Sequence, residues 1–177
     1  MTDLLSLGEL LIDFTPAGVS ENGNPVFERN PGGGPANVAC AAARLGAKAA
    51  FIGQVGDDPF GRALMDTLRQ EKVDVSRLRL SDMYQTTLAF VHLDESGDRS
   101  FSFYRRQGAD TMLRTEPADF KAVEQSRVFF FSSVMMTESP ARETSFALAV
   151  HAKERGVVIL VPKMTQSGCF SRTILYQ

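Results

Sequence analysis

Tryptophan is absent from this chain of 177 residues, and cysteine and histidine occur only twice each. Cys40 and Cys169 are far apart and make no disulfide framework, and His92 and His151 offer neither zinc spacing nor an acid or nucleophile at a useful interval. Neither sign of charge is in excess: 19 basic against 21 acidic side chains leave a net charge of −2. That balance gives no electrostatic footprint for nucleic acid or an anionic membrane and points to a small, mostly neutral partner. No apolar run approaches transmembrane length. The opening "MTDLLSLGELLIDF" carries Asp3 where a signal peptide would be basic, and Glu9 and Asp13 interrupt it. The expectation is a cytoplasmic protein. What is present, 44% hydrophobic and 23% charged residues, suffices for one domain with a sizeable core.

The apolar run from Leu4 to Phe14 is short and β-friendly, and it reads as one buried strand with Asp13 at its end. "TPAGVSENGNP" reads as a loop, "VFER" as a short strand, and Pro35 opens a helix in which Val38, Ala42 and Leu45 recur until Gly46. "AAFIGQVG" is the next strand. A helix follows with Asp58 as N-cap, Pro59 in its first turn, and Phe60, Leu64 and Leu68 on one face. "TTLAFVHLD" and "RSFSFYR" then form a hairpin around "ESGD", with Phe101 and Phe103 on one face and Ser100, Ser102 and Tyr104 on the other. A short helix "EPADFKAVEQS", a strand "RVFFFSSV", a helix from a Ser139 cap to Gly156, and a strand "VVILV" complete the pattern. Strands alternating with helices predict an α/β domain with a largely parallel sheet, and the hairpin is a flap over one edge.

The chemistry concentrates in "NPGGGPANVACAAARLG". No Gly-Lys-Ser/Thr follows Gly34, which excludes a Walker loop, and Asn37 stands where a dinucleotide fingerprint needs its third glycine. Two readings stay open: a tight turn and nothing more, or a helix start whose free N–H groups and Asn37 amide receive a polyol hydroxyl. Asp13 is either a solvated loop carboxylate or a cap, or else a sugar-holding group at the carboxyl end of a strand, where ligand crevices form in α/β sheets. Tyr104, Arg105 and Arg106 follow the flap's second strand. Phe129, Phe130 and Phe131 read as core rather than as a stacking platform.

"GELLIDF", "PGGGPANVACAAARLGAKAAFIGQVGDDPFG" and "GDRSFSFYRRQGADTML" together resemble the ribokinase-like (PfkB) carbohydrate kinases, and among them most closely the fructokinases. Gly32, Gly33, Asn37, Ala39, Gly46 and Gly56 fall in register with the family's N-terminal signature, and the likeness runs from the first strand to about Val161. It implies a three-layer α/β/α sandwich with a small β lid, and an enzyme that moves the ATP γ-phosphoryl group to a sugar hydroxyl. It also implies that Asp13, Gly33, Gly34 and Asn37 hold the sugar, that Tyr104 and Arg106 reach it from the lid, and that two copies pair through their lids. A lid suits this chemistry because a transferred phosphoryl group must be kept from water.

On that reading residues 1–161 are the N-terminal portion of a kinase domain, with lid strands at about 14–30 and 86–106. Residues 162–177 are a tail that departs from the family pattern and lacks strand or helix periodicity, leaving "VVILV" as an open edge. The resemblance calls further for a Gly-Ala-Gly-Asp segment carrying the general base and anion hole, and for residues serving ATP and Mg2+. Nothing in the sequence matches, and the "GAD" of Gly108–Asp110 belongs to the lid region. The expectation is therefore a truncated or frame-shifted product, inactive alone, of a kinase for D-fructose. A kinase for 2-keto-3-deoxygluconate or another sugar, and a non-catalytic sugar-binding fragment, are the alternatives.

Overall fold

The computed structural model describes residues 1–93, 99–164 and 170–176. Its main sheet has six strands in the order β10-β9-β8-β1-β4-β5. β1 (Thr2–Leu7) lies inside it, parallel to β4 (Ala49–Gly56) on one side and to β8 (Ser126–Phe131) on the other. β5 (Asp74–Ser81) and β9 (Val158–Met164) extend it in parallel. Alternate residues of one strand serve opposite layers, as the period of two requires. Ala49 and Phe51 of β4 join the core built with α1 (Gly34–Arg44) and α2 (Pro59–Gln70). Ala50 and Ile52 join the core built with α3 (Pro117–Glu124) and α4 (Ala141–Glu154). The result is the expected three-layer α/β/α arrangement.

A second sheet, ordered β3-β2-β6-β7, stands beside the first. It consists of β2 (Leu11–Val19), β3 (Pro25–Gly32), β6 (Leu88–Leu93) and β7 (Arg99–Tyr104). Its presence corrects the reading of Leu4–Phe14 as one strand: the chain leaves the main sheet at Leu7, turns through Gly8, Glu9 and Leu10, and enters the second sheet at Leu11. Periodicity misses the break because Leu10 stays in the core, 2% exposed, while the backbone changes sheets. The supposed loop "TPAGVSENGNP" is likewise mostly strand. Only Ser20–Asn24 turn, closed by Ser20 N–H to Asn24 O at 2.8 Å, and Pro16 and Gly18 flank a bulge where the ladder tolerates proline. The "ESGD" turn of the second hairpin and Cys169 lie outside the described residues.

Three further differences have local causes. "DVSRLRLS" gives no clean alternation, yet it forms edge strand β5, because Arg77 and Arg79 pair with Glu116 and the fully buried Asp119 at the start of α3. At α4 the capping position falls on Pro140, and Ser139 Oγ instead donates to Glu143 Oε1 at 2.5 Å. Beyond β9, β10 (Phe170–Tyr176) pairs antiparallel with it, so the edge expected to be open is covered. At α2 the expectation holds. Asp58 Oδ1 accepts from Gly61 N–H at 2.8 Å and Thr86 Oγ1 at 2.9 Å, and its Oδ2 accepts from Thr86 N–H at 2.8 Å. One cap thus ties α2 to the chain entering β6. Burial works against ionisation of this carboxyl, but these hydrogen bonds outweigh it and hold the pKa below the ordinary value.

Candidate functional site

The passage from main sheet to second sheet places three stretches around one cleft of about 410 Å³. The Gly8–Leu10 corner contributes Glu9, β2 contributes Leu11 and Asp13, and the turn before α1 contributes Gly33 and Gly34. Phe101, Phe103 and Arg105 arrive from β7 and its end, and Val134 from the 3-10 turn Ser133–Met136. The register explains the grouping: Asp13 pairs with Ala89 of β6, and Ala89 pairs with Phe103, so the three lie in one row on one sheet face. Ala89 between them is small and fully buried.

The glycine run is shaped by close approach. Gly33 has φ 113°, in the region that favours glycine, and a Cβ on it would strike the Glu9 carbonyl oxygen. A Cβ on Gly32 would strike Asp13 Oδ2. Gly33 has no side chain to cap α1, and Glu9 supplies the cap from afar: its Oε1 accepts the Gly34 N–H at 3.2 Å.

Both acids in the cleft are pushed toward their neutral form. Burial alone raises the pKa of half-buried Asp13. Glu9, 5% exposed, is raised first by burial and further by the Asp110 carboxylate, while hydrogen bonds, including that from Gly34, pull it back. Among the described lining residues Arg105 is the only cation, and it is engaged. Its Nε donates to Asp110 Oδ2 at 2.8 Å and its Nη2 lies 2.7 Å from the same oxygen, while Thr87 Oγ1 donates to Asp110 Oδ1 at 2.6 Å. Asp110 is 1% exposed, so this is a buried ion pair that joins the end of β7 to the body.

Of the six residues singled out from sequence, Asp13, Gly33 and Gly34 share this cleft. Asn37 does not: it is exposed one turn into α1 and lines a groove of about 490 Å³ with Cys40, Arg44, Thr67 and Glu71. Tyr104 and Arg106 alternate away from Phe103 and Arg105 and line a separate cleft of about 310 Å³ with Tyr84, Gln85 and Thr86. Tyr104 packs edge-on against Phe90, which stacks on Phe14, so the face it belongs to is the aromatic back of the sheet. Sequence reasoning noticed Glu9, Arg105 and Asp110 without assigning them to the site. A charged residue inside an apolar run was the signal for Glu9, and the shared parity of Phe101, Phe103 and Arg105 was the signal for Arg105. His92 pairs with Ser102 and His151 with Glu124, both outside the cleft. No helix among the described residues is long and apolar enough to cross a membrane.

Residues 1–175 match the family described as pfkB family carbohydrate kinase. The probable fructokinase-7 of Arabidopsis thaliana is 42% identical over 160 residues, 89% of this chain and 47% of that protein. Among solved structures, the fructokinase of Xylella fastidiosa superposes with a TM-score of 0.82 at 35% identity, covering 90% of this chain and 49% of that one. The fructokinase of Vibrio cholerae O395 in a fructose, ADP and calcium ion bound form gives 0.73 at 33% identity, over 91% and 49%. The chain thus spans about half the length of these relatives.

Proposed function

The chain belongs to the pfkB family of carbohydrate kinases, and from that premise we propose that it carries the sugar-binding half of an ATP-dependent kinase that converts D-fructose to fructose 6-phosphate in its full-length form. The observation that carries the choice of sugar is the charge state of the Asp13 cleft. Among its described lining residues the one cation, Arg105, is neutralised by buried Asp110, and the remaining ionisable groups are the carboxyls of Glu9 and Asp13. An acid sugar would bring a third carboxylate among them, a like-charge contact in a partly desolvated site. A neutral ketohexose brings only hydroxyls, which donate to Asp13, and a C–H face that Phe101 and Phe103 can cover. This disfavours 2-keto-3-deoxygluconate as the substrate. The relative from Vibrio cholerae is described with fructose and ADP bound, which supports the same reading.

ATP and Mg2+ belong to the full-length activity, and the residues present do not fit them. The sequence contains no Gly-Ala-Gly-Asp segment. Among the described residues no three His, Cys, Asp or Glu side chains converge to hold a metal ion. The work of this chain's own residues is to bind and orient a sugar, with Asp13 accepting hydroxyl protons and the second sheet excluding water from one side. A coupled ATP-consumption assay on a full-length relative and on this chain, over a panel of sugars, tests the proposal. The relative should prefer fructose and the chain should show no turnover; preference for the acid sugar would sink the fructose assignment.

A further inference from the structure

The hairpin that carries the cleft's aromatic side chains meets the body of the protein at one buried carboxylate. Thr87 immediately precedes β6 and Arg105 immediately follows β7, so the two stand at the base of the hairpin, next to the Leu88–Tyr104 pair. Asp110 holds both. Its Oδ1 accepts from Thr87 Oγ1 at 2.6 Å and its Oδ2 from Arg105 Nε at 2.8 Å, and Asp110 and Thr87 are each 1% exposed. The turn that presents Asp110 is fastened to the body. The Ala109 carbonyl accepts from Gln54 Nε2 of β4 at 3.0 Å, and the Thr111 carbonyl from the Ala141 N–H of α4 at 3.1 Å. Gly108 makes the grip possible, since a Cβ there would strike both Thr87 Oγ1 and Asp110 Oδ1. β2 is tied to the same point, because the Ile12 N–H donates to the Thr87 carbonyl at 3.1 Å.

We infer that Asp110 and Thr87 are positioning residues for the cleft: through them the body sets how closely the wall formed by the second sheet, Asp13 with Phe101 and Phe103, faces the wall formed by Gly33, Gly34 and Val134. Neither residue is among the cleft's described lining residues, so both act without touching a ligand. Tilting the second sheet about its base would break charge-assisted hydrogen bonds in a buried setting, where an unmade bond is costly. Ala89 and Phe103 each lie two residues, about 7 Å, further along their strands, so the wall follows the base closely. The consequence for a sugar rests on the sugar-binding reading above; the positioning itself does not.

The test compares Thr87→Val, which removes the hydroxyl at nearly constant shape, with Thr87→Ser, which keeps it, in the full 177-residue chain. Amide hydrogen exchange without ligand reads the Ile12 N–H at the sheet's base against the amides of β1 in the body. Calorimetric titration reads fructose affinity. In Thr87→Val the Ile12 amide should exchange about tenfold faster while β1 keeps its protection, and fructose should bind about tenfold more weakly. Thr87→Ser should stay within about threefold of the parent in both readings. Unaltered Ile12 exchange in Thr87→Val, or equal acceleration at Ile12 and in β1, overturns the positioning role, the second because it marks a purely global loss of stability. Selective opening with unchanged fructose affinity overturns the link to the cleft. If Thr87→Val does not fold, Arg105→Lys decides, since it keeps the charge but gives up the two-pronged grip: selective acceleration at Ile12 supports the inference and its absence overturns it. If the parent chain binds no fructose, the sugar-binding reading fails on its own, and the exchange data alone judge the positioning role.

Discussion

Replacing Arg105 with alanine removes the guanidinium that neutralises Asp110 and leaves a carboxylate that is 1% exposed with the Thr87 hydroxyl as its remaining partner. Breaking a buried pair from one side costs about 3–5 kcal/mol, because an uncompensated charge stays in the interior. Against a total stability on the order of 5–15 kcal/mol, that is a large fraction. In a chain of 177 residues each kcal/mol corresponds to roughly 2–4 °C, so the thermal midpoint should fall by about 6–20 °C. Removing both charges with Arg105→Leu and Asp110→Leu should recover most of the loss, since the penalty belongs to the unpaired charge. The exposed pair Arg69–Asp66, at 57% and 63% side-chain exposure, is the control, and Arg69→Ala should change stability by less than about 1 kcal/mol. Urea unfolding followed by circular dichroism measures all three. If Arg105→Ala is within about 1 kcal/mol of the parent, the buried-pair account is wrong. The guanidinium would then be free to receive a ligand's negative charge, and the argument for a neutral sugar would fall with it.

Asp58→Ala should cost about 2–3 kcal/mol, because it removes both the α2 cap and the tie to Thr86, and urea unfolding at neutral pH checks this. Since the folded protein holds the Asp58 pKa below its ordinary 3.8, this contribution is fully present above that value and fades as pH falls through the lower folded one. Glu9 has the opposite sign. Its folded pKa lies above the ordinary 4.5, so the folded state keeps its proton longer and loses relative stability as pH rises from 4.5 through the folded value. Thermal midpoints for Glu9→Gln should therefore match the parent near the acid end and exceed it at alkaline pH; parallel profiles would refute this. We also propose that two copies pair through the second sheet, whose Phe101 and Phe103 are 50% and 57% exposed. Light scattering after size exclusion should find a dimer that Phe101→Ser weakens, and a clean monomer at high concentration removes the proposal.

Much of the main sheet was legible because its elements carry one strong local signal each. "AAFIGQVG" is a continuous apolar run bounded by turns, and β4 spans those residues. Asp58-Pro59 states the start of α2 twice, by cap chemistry and by proline preference. The second sheet was harder to read. β3 is exposed over most of its length and β2 over its second half, so no apolar alternation announces them, and the hairpin β6–β7 was visible only because its aromatics alternate. Within the cleft, Asp13 and the glycines could be picked out because strand ends and glycine turns are where ligands approach in α/β folds. Arg105 and Asp110 could not be paired from sequence, since their partnership depends on how the lid's last strand returns to the body. Glu9 was noticed as a charge interrupting an apolar run, but its bond to Gly34 spans 25 positions and exists only once the corner between sheets is formed.

The most direct test of the account is calorimetric titration of D-fructose and of 2-keto-3-deoxygluconate into this chain and into Asp13→Ala. Asp13 is expected to accept hydroxyl protons in charge-assisted hydrogen bonds worth about 1.5–3 kcal/mol each, so its removal should weaken fructose binding by at least about tenfold. The fold should be little affected, because burial is the one influence on the Asp13 carboxyl and no hydrogen bond or charge partner among the described residues depends on it. The account predicts measurable fructose binding that Asp13→Ala weakens by about tenfold or more, with the acid sugar weaker than fructose throughout. Tighter binding of the acid sugar, or unchanged fructose affinity in Asp13→Ala together with a large loss of thermal stability, would contradict it.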